Sequence, residues 1–192
     1  MARRQSRTLE LGTPAPDFAL PDVISGETFG LGTYAGSPAL LVAFICNHCP
    51  YVKHILDGFV AFAREYGGRG LATVAISAND AQAYPADAPG EMARLAREKG
   101  FTFPYLYDES QAVAKAYEAV CTPDFYLFDR ERRLAYHGQF DASRPNNDVP
   151  VTGADLRAAV DAVLAGRPVP EPQVPSVGCS IKWKPGQAPD WA

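Results

Sequence analysis

The chain has 192 residues, 47% of them hydrophobic and 21% charged, which is enough for one globular domain with a sizeable core. A net charge of −4 argues against a general nucleic-acid binder and against a protein that binds anionic membranes. Four cysteines are too few for a disulfide scaffold, and no apolar run has the length of a transmembrane helix. The basic N-terminus is not followed by the apolar segment of a secretion signal, so we expect a cytoplasmic protein.

The first half of the chain has the pattern of a βαβ unit behind a short hairpin. Two short strands are predicted on either side of a turn at Gly26. The unbroken apolar run from Ala39 to Ile45 indicates a central strand that is covered on both faces. From Pro50, apolar residues recur at intervals of three and four, as on a helix that packs against a sheet. Leu71 to Ser77 completes the unit, and its two strands should run parallel.

The second half adds elements around the same sheet. The loop at residues 79–90 and the start of the next helix carry acids without the spacing of a calcium loop, so we expect them to be solvated. These acids are Asp80, Asp87 and Glu91. A hairpin between Phe125 and Phe140 precedes a last helix. The tail beyond Gly166 is rich in proline but holds two tryptophans, so its part from Val177 to Trp183 should pack onto the domain.

Two cysteines, Cys46 and Cys49, lie between the central strand and the helix that follows it. The first turn of a helix has free N–H groups and a positive dipole end, which stabilise a thiolate and lower its pKa. We therefore interpret the pair as a redox dithiol at the carboxyl edge of the parallel strands. A structural zinc site would need a second close pair, whereas Cys121 and Cys179 are isolated; two inert buried cysteines are the other alternative.

Four segments of the chain resemble one family. They are Phe44 to His54, Thr122 to Phe125, Asp141 to Pro145 and Gly178 to Lys184. They are similar to a peroxiredoxin-like group of the thioredoxin-fold AhpC/TSA (redoxin) superfamily, over residues 12–186. The resemblance implies an α/β thioredoxin-like fold, with a central mixed sheet flanked by helices and an N-terminal hairpin extension. It places an arm at 1–11, the domain at 12–166 and a partly packed, proline-rich tail at 167–192.

The resemblance also implies a function, that of a thiol–disulfide oxidoreductase acting on protein or small thiols and disulfides. Cys46 would attack a substrate disulfide, and Cys49 would resolve the mixed disulfide. Asn47 and His48 would tune the reduction potential, His48 through a partly cationic imidazole; a solvated position at the helix start is the alternative for His48. His54 is expected to be a packing or surface residue.

Further site residues follow from the same resemblance. Thr122–Pro123 matches a cis-proline whose backbone edge would pair with an extended substrate. Arg144 could lower a thiol pKa or orient an acidic partner, with a surface salt bridge as the alternative. Cys121 is expected to be a small buried residue. Cys179 is a candidate third redox cysteine or a reduced packing cysteine, and the two interpretations stay open.

The identity of the nucleophile depends on where the helix begins. CxxC pairs usually leave the first sulfur exposed and the second covered, which favours Cys46. The residue before a proline avoids the α region, so a helix that began at Pro50 would place Cys49 on the N-terminal amides instead. We take Cys46 as the nucleophile, with Cys49 as the alternative.

Two other functions are considered. A thiol-dependent peroxidase of this superfamily has a threonine three residues before its reactive Cys-Pro. With Cys49–Pro50 at that place, Cys46 replaces the threonine, and the hydroxyl that would polarise a peroxide is missing. A non-enzymatic copper- or zinc-binding protein would have His137 as its only distant histidine. We expect no resident cofactor or metal, no nucleic-acid or membrane partner, and leave a homodimer open.

Overall fold

The structure is a computed structural model that describes residues 3–192 of the chain. The strands in this range are β1 (Arg3–Gln5), β2 (Ala19–Pro21), β3 (Thr28–Gly30), β4 (Ala39–Phe44), β5 (Leu71–Ser77), β6 (Tyr105–Tyr107), β7 (Cys121–Thr122), β8 (Asp124–Phe128), β9 (Leu134–Gly138) and β10 (Val177–Ser180). The helices are α1 (Pro50–Gly67), α2 (Pro89–Lys99), α3 (Ala112–Ala116) and α4 (Ala154–Leu164).

The centre of the fold is a five-stranded mixed sheet with the order β6-β5-β4-β8-β9. β4, β5 and β6 run parallel to one another, whereas β8 is antiparallel to both β4 and β9. All six residues of β4 are fully buried, as the apolar run from Ala39 predicted. The expected thioredoxin-like α/β fold, with a central mixed sheet flanked by helices, is confirmed. The predicted N-terminal hairpin is the β2–β3 pair.

Both faces of the central sheet are covered. α1 and α4 pack on one face, where Leu41 and Ala43 of β4 join their apolar residues. α3 and the β2–β3 hairpin cover the other face, which receives Leu40 and Val42. Successive side chains of a strand point to opposite faces, so a strand buried on both sides is apolar at every position. None of the helices in the described range combines the length and the apolar character needed to cross a membrane.

A small antiparallel sheet, β1-β10-β7, joins both ends of the described chain to the domain. β10 belongs to the proline-rich tail and pairs with β7, which places Cys179 opposite Thr122. β1 pairs with the other edge of β10, although the sequence predicted no strand in the arm at residues 1–11. Cys179 and Ile181 are buried, so this part of the tail packs onto the domain. The small sheet borders the dithiol, because β7 leads directly into Pro123.

Candidate active site

The two cysteines of the pair lie in the loop between β4 and α1, at the carboxyl edge of the parallel strands. We call residues 46–49 the dithiol loop. α1 begins at Pro50, and Cys49 is its N-cap residue, with the Lys53 amide donating to the Cys49 carbonyl at 3.0 Å. The helix therefore begins at Pro50, as the alternative with Cys49 as the nucleophile required. Cys49 rather than Cys46 lies at its N-terminal amides.

Thr122 contacts both sulfurs from the opposite strand. The Thr122–Pro123 peptide bond is cis. Cys46 Sγ lies 3.3 Å from Thr122 Oγ1, and Cys49 Sγ lies 3.2 Å from the Thr122 carbonyl oxygen. The side chain and the backbone of one residue thus hold the two thiols side by side.

The two thiols have opposite acidities. The pKa of Cys49 is lowered to about 5, first by a hydrogen bond from the Cys46 thiol and then by the Cys179 thiol and the backbone amides of Val52 and Cys179. Burial acts in the opposite direction and raises the pKa of Cys49, but the four donors outweigh it; when protonated, Cys49 donates to the Thr122 carbonyl oxygen. The pKa of Cys46 is raised well above its usual value by its hydrogen bond to Cys49, by burial and by the charge of Asp87. In the reduced protein Cys49 therefore carries the negative charge and Cys46 the proton.

Neither sulfur is exposed, so the expectation of an open first cysteine is wrong. Cys46 is 1% exposed and Cys49 is 0% exposed. Cys179 of β10 lies opposite Thr122 and beside the Cys49 sulfur, so the tail strand helps to cover Cys49. The backbone edge at Thr122, which was expected to receive an extended substrate, is paired with the chain's own tail in this conformation.

Asp87 is a site residue that the sequence analysis missed. The acidic loop was expected to be solvated, but Asp87 is 0% exposed and Asp80 is 6% exposed; among the three acids considered, only Glu91 lies on the surface. Asp87 Oδ1 accepts hydrogen bonds from the backbone amides of Asn47 and His48, at 2.8 and 3.1 Å. The buried carboxylate therefore fixes the conformation of the dithiol loop.

The second oxygen of Asp87 binds two side chains. Oδ2 lies 2.5 Å from His48 Nδ1 and accepts from Asn79 Nδ2 at 2.9 Å. The His48 ring stacks on Tyr84, with 5.1 Å between ring centroids. Asn47 Oδ1 accepts a hydrogen bond from the Tyr105 hydroxyl at 3.1 Å. His48 is thus held by a carboxylate and an aromatic ring, in place of the solvated position that was its alternative.

The candidate metal ligands fall into two separate groups. One ligand atom each of Cys46, His48 and Asp87 lie within 4.8 Å of one another, but Nδ1 and Oδ2 in this group are hydrogen-bonded to each other. His137, the distant histidine of the metal-binding alternative, is hydrogen-bonded through Nε2 to the carboxylate oxygen Oδ1 of Asp124 at 3.1 Å and stacks on Tyr126 within the sheet. His137 is therefore not part of the group around the dithiol loop.

The other predicted site residues lie near the dithiol without touching it. Arg144 lines a small crevice with Pro123 and Val177, and its guanidinium donates to the carbonyls of Asp141 and Ser143, both at 2.7 Å. Among the described contacts, Arg144 makes no hydrogen bond to a cysteine. His54 bonds Ser143 Oγ through Nε2 at 2.7 Å, which links α1 to the Arg144 loop. Cys121 is fully buried in β7, and burial raises its pKa, as expected of a packing residue.

The charge division between the thiols predicts the titration of the reduced protein. Thiolate absorbance at 240 nm should rise with a midpoint near pH 5, the pKa of Cys49. Cys46→Ala removes the strongest donor and should raise this midpoint by about one to two pH units. Cys46→Ser keeps a hydroxyl donor and should raise it less. An unchanged midpoint in Cys46→Ala, or a midpoint that disappears with Cys46 and not with Cys49, would contradict this assignment.

Comparison with known proteins identifies the family of the chain and similar folds. The model of the AhpC/TSA family matches residues 11–137. A conserved protein from Geobacillus kaustophilus is 54% identical, with a TM-score of 0.95 over 97% of this chain and 98% of its own. A Sinorhizobium meliloti protein is 58% identical, with a TM-score of 0.93 over 95% of this chain and 99% of its own. No match was found among curated proteins.

A more distant likeness concerns the fold alone. A thiol:disulfide interchange protein of the thioredoxin family from Chlorobium tepidum is 18% identical, with a TM-score of 0.62. The alignment covers 82% of this chain and 99% of the Chlorobium chain.

Proposed function

This chain belongs to the AhpC/TSA family, and we propose that it is a thiol–disulfide oxidoreductase whose Cys46–Cys49 pair exchanges disulfides with thiol partners. One observation carries the proposal. Both sulfurs contact Thr122 at the start of α1, and the interaction between the two thiols lowers the pKa of Cys49 and raises that of Cys46. A thiolate is the attacking species in disulfide exchange, and a neighbouring thiol is needed to resolve the mixed disulfide.

The exchange has two balanced steps. The Cys49 thiolate attacks one sulfur of a partner disulfide, forms a mixed disulfide and releases the other partner sulfur as a thiolate. Cys46 then loses its proton and attacks Cys49 Sγ, which releases the second partner thiol and leaves a Cys46–Cys49 disulfide. In the reverse direction the same steps give a disulfide to a partner dithiol. Cys49 takes the nucleophile's role here, because α1 begins at Pro50 and neither sulfur has the advantage of exposure.

The acidity of Cys49 favours one direction. A low pKa stabilises the reduced form, because the thiolate is retained at neutral pH, and this makes the corresponding disulfide more oxidising. With a pKa of about 5, Cys49 falls between the thioredoxin cysteine, near 7, and that of the periplasmic disulfide oxidase, near 3.5. We therefore expect a reduction potential between about −270 and −120 mV.

The burial of the site bears on the partner. Both sulfurs are buried and Cys49 adjoins β10, so a folded protein cannot approach Cys49 while the tail strand is in place. A small disulfide or thiol needs a much smaller opening. We therefore propose low-molecular-weight thiols and disulfides as the first partners, with protein disulfides requiring that β10 moves.

The same burial favours a second candidate, a thiol-dependent peroxidase. A covered thiolate in front of a proline, at the first turn of a helix, is open to a reagent as small as hydrogen peroxide. The argument against it is unchanged, since Cys46 stands where a peroxidase of this family has the threonine hydroxyl. In this reaction the Cys49 thiolate would attack one oxygen of hydrogen peroxide, breaking the O–O bond to give a sulfenic acid and hydroxide, which takes up a proton to form water. The Cys46 thiol would then condense with the sulfenic acid, forming the Cys46–Cys49 disulfide and a second water.

Both candidates are tested on reduced protein from which the reductant has been removed. Glutathione disulfide, insulin and hydrogen peroxide are each added in excess, and the loss of protein thiols is followed with time. With glutathione disulfide, we expect each chain to lose two thiols and to release two glutathione thiols. In a titration with glutathione redox buffers, the midpoint of the Cys46–Cys49 pair should lie within the range of potential given above. The Cys46→Ser/Cys49→Ser double variant is the control.

The outcomes separate the two functions. Faster oxidation by peroxide than by either disulfide would favour the peroxidase. Equal thiol loss in the wild-type chain and the double variant with all three reagents would overturn both proposals.

A further inference from the structure

We propose that Cys179 is a third redox-active thiol, which takes over the disulfide of the Cys46–Cys49 pair as a Cys49–Cys179 bridge between the active site and the tail. This inference rests on the proposed disulfide exchange. Within it, the tail strand β10 is a partner of the dithiol and not only its cover.

The register of the small sheet places the third sulfur. Cys179 lies directly opposite Thr122, the residue that contacts both Cys46 and Cys49. The thiol and the backbone amide of Cys179 also lie close enough to Cys49 to lower its pKa. Cys46 is the other cysteine that lowers the pKa of Cys49, so Cys49 has two neighbouring thiols. All three are free thiols in this structure, and Cys49 can form a bridge to either neighbour.

The contact is built into the fold. At Gly178, an added Cβ would lie 1.9 Å from the Thr122 carbonyl oxygen, so only glycine lets β10 approach β7 this closely. Beyond the strand, the Lys182 amide donates to Asn79 Oδ1 at 2.8 Å, and Gln111 Nε2 donates to the Lys182 carbonyl at 3.0 Å. Asn79 also binds Asp87, so one residue links the tail to the carboxylate that holds the dithiol loop.

Burial and the neighbouring Cys49 keep Cys179 protonated while the pair is reduced. The pKa of Cys179 is raised to about 12, mainly by burial and next by the neighbouring Cys49. The positive charge of Lys182 acts in the opposite direction and lowers it. A Cys46–Cys49 disulfide carries no negative charge. When this disulfide forms, Cys49 no longer raises the pKa of Cys179, whereas Lys182 still lowers it. The Cys179 thiol therefore becomes easier to ionise.

The transfer conserves electrons and needs no new oxidant. Cys179 gives its proton to solvent, and its thiolate attacks Cys49 Sγ of the Cys46–Cys49 disulfide. The Cys49–Cys179 bond forms as the Cys46–Cys49 bond breaks, and Cys46 leaves as a thiolate that takes up a proton. One disulfide is present before and after the step. The oxidising equivalents come from whichever partner formed the first disulfide.

Disulfide mapping tests the proposal directly. The full chain is oxidised with glutathione disulfide, quenched with acid, blocked with N-ethylmaleimide, digested with trypsin and analysed by mass spectrometry. Trypsin cleaves after Lys53 and after basic residues that precede Cys179, so the Cys46–Cys49 pair and Cys179 lie on different peptides. A disulfide between them is therefore detected as two cross-linked peptides. We expect this cross-link in wild-type protein, as the main bridge in Cys46→Ser, and none in Cys179→Ser.

Cys121→Ser is the matched control, since Cys121 is buried in the neighbouring strand but does not hydrogen-bond Cys49. It should leave the cross-link unchanged. A Cys46–Cys49 disulfide that forms normally while no cross-link to Cys179 appears, in either wild type or Cys46→Ser, would overturn the third thiol and leave the proposed function standing. Absence of both bridges, with thiols unreacted, would instead contradict the proposed function.

Discussion

Gly178→Ala should open the site and lower the stability of the protein together. An alanine Cβ at this position would lie 1.9 Å from the Thr122 carbonyl oxygen, 2.5 Å from the carbonyl carbon and 3.1 Å from the Pro123 nitrogen. These are backbone atoms, so no side-chain rotation can relieve the clash. Overpacking in a dense interior typically costs about 1–3 kcal/mol, and here the strand that must shift is the one that covers Cys49.

The measurement is the rate at which N-ethylmaleimide alkylates the reduced, native protein. If opening of β10 limits access to the sulfurs, a cost of about 1–3 kcal/mol raises the rate about 5- to 150-fold. The melting temperature should fall in the same variant. Gly32→Ala is the control, because an added Cβ there meets nothing within 4 Å. Alkylation at the wild-type rate in Gly178→Ala would mean that the tail strand does not control access to the dithiol.

The main parts of the fold could be predicted because each has a local pattern. The run from Ala39 to Ile45 has no polar residue, and only a central strand with two covered faces suits it. The three- and four-residue spacing after Pro50 allows one orientation of α1 against the sheet. The dithiol between these two elements was found for the same reason, and Pro50 also supplied the argument for where the helix begins.

The parts that were missed depend on contacts between distant segments. Asp87 is in a loop with proline and other acids, a composition typical of solvated turns. Asp87 is held in the interior by hydrogen bonds that its carboxylate accepts from the backbone amides of Asn47 and His48. These residues lie about 40 positions earlier in the chain. The apolar residues of the tail predict that it packs onto the domain. No local sequence pattern predicts the strand register that places Cys179 opposite Thr122. The expectation of an exposed Cys46 failed because it rested on the motif alone, whereas Cys46 is buried among distant segments such as Thr122, which contacts its sulfur.

Asp87→Ala should destabilise the protein strongly, and Asp87→Asn should separate the structural effect from the electrostatic one. Alanine leaves four donors without their acceptor, namely two backbone amides, the His48 ring and the Asn79 amide. Each buried donor left unpaired costs about 1–3 kcal/mol, so a loss of roughly 3 kcal/mol or more in the free energy of unfolding is expected. Denaturant unfolding of the reduced protein measures it.

Asparagine keeps one carbonyl oxygen for the amides of Asn47 and His48, so the dithiol loop should hold its conformation at a smaller loss. It removes the negative charge that helps to raise the pKa of Cys46. In Asp87→Asn the pKa of Cys46 should therefore fall. Alkylation of Cys46 by N-ethylmaleimide, mapped by mass spectrometry, should then begin at lower pH than in wild type. Asp80→Asn is the control, since Asp80 is buried in the same loop but caps only the Gln82 amide with its side chain.

The Asp87→Asn result decides what makes the two sulfurs unequal. The helix amides act on Cys49, whereas the carboxylate acts on Cys46, and the two effects add in the same direction: each favours the proton on Cys46 and the charge on Cys49. If Cys46 titrates as in wild type once the charge is gone, the asymmetry comes from the helix terminus and the Cys49 donors alone. A lower Cys46 pKa would instead make Asp87 the residue that keeps Cys46 protonated, ready to donate to the thiolate beside it.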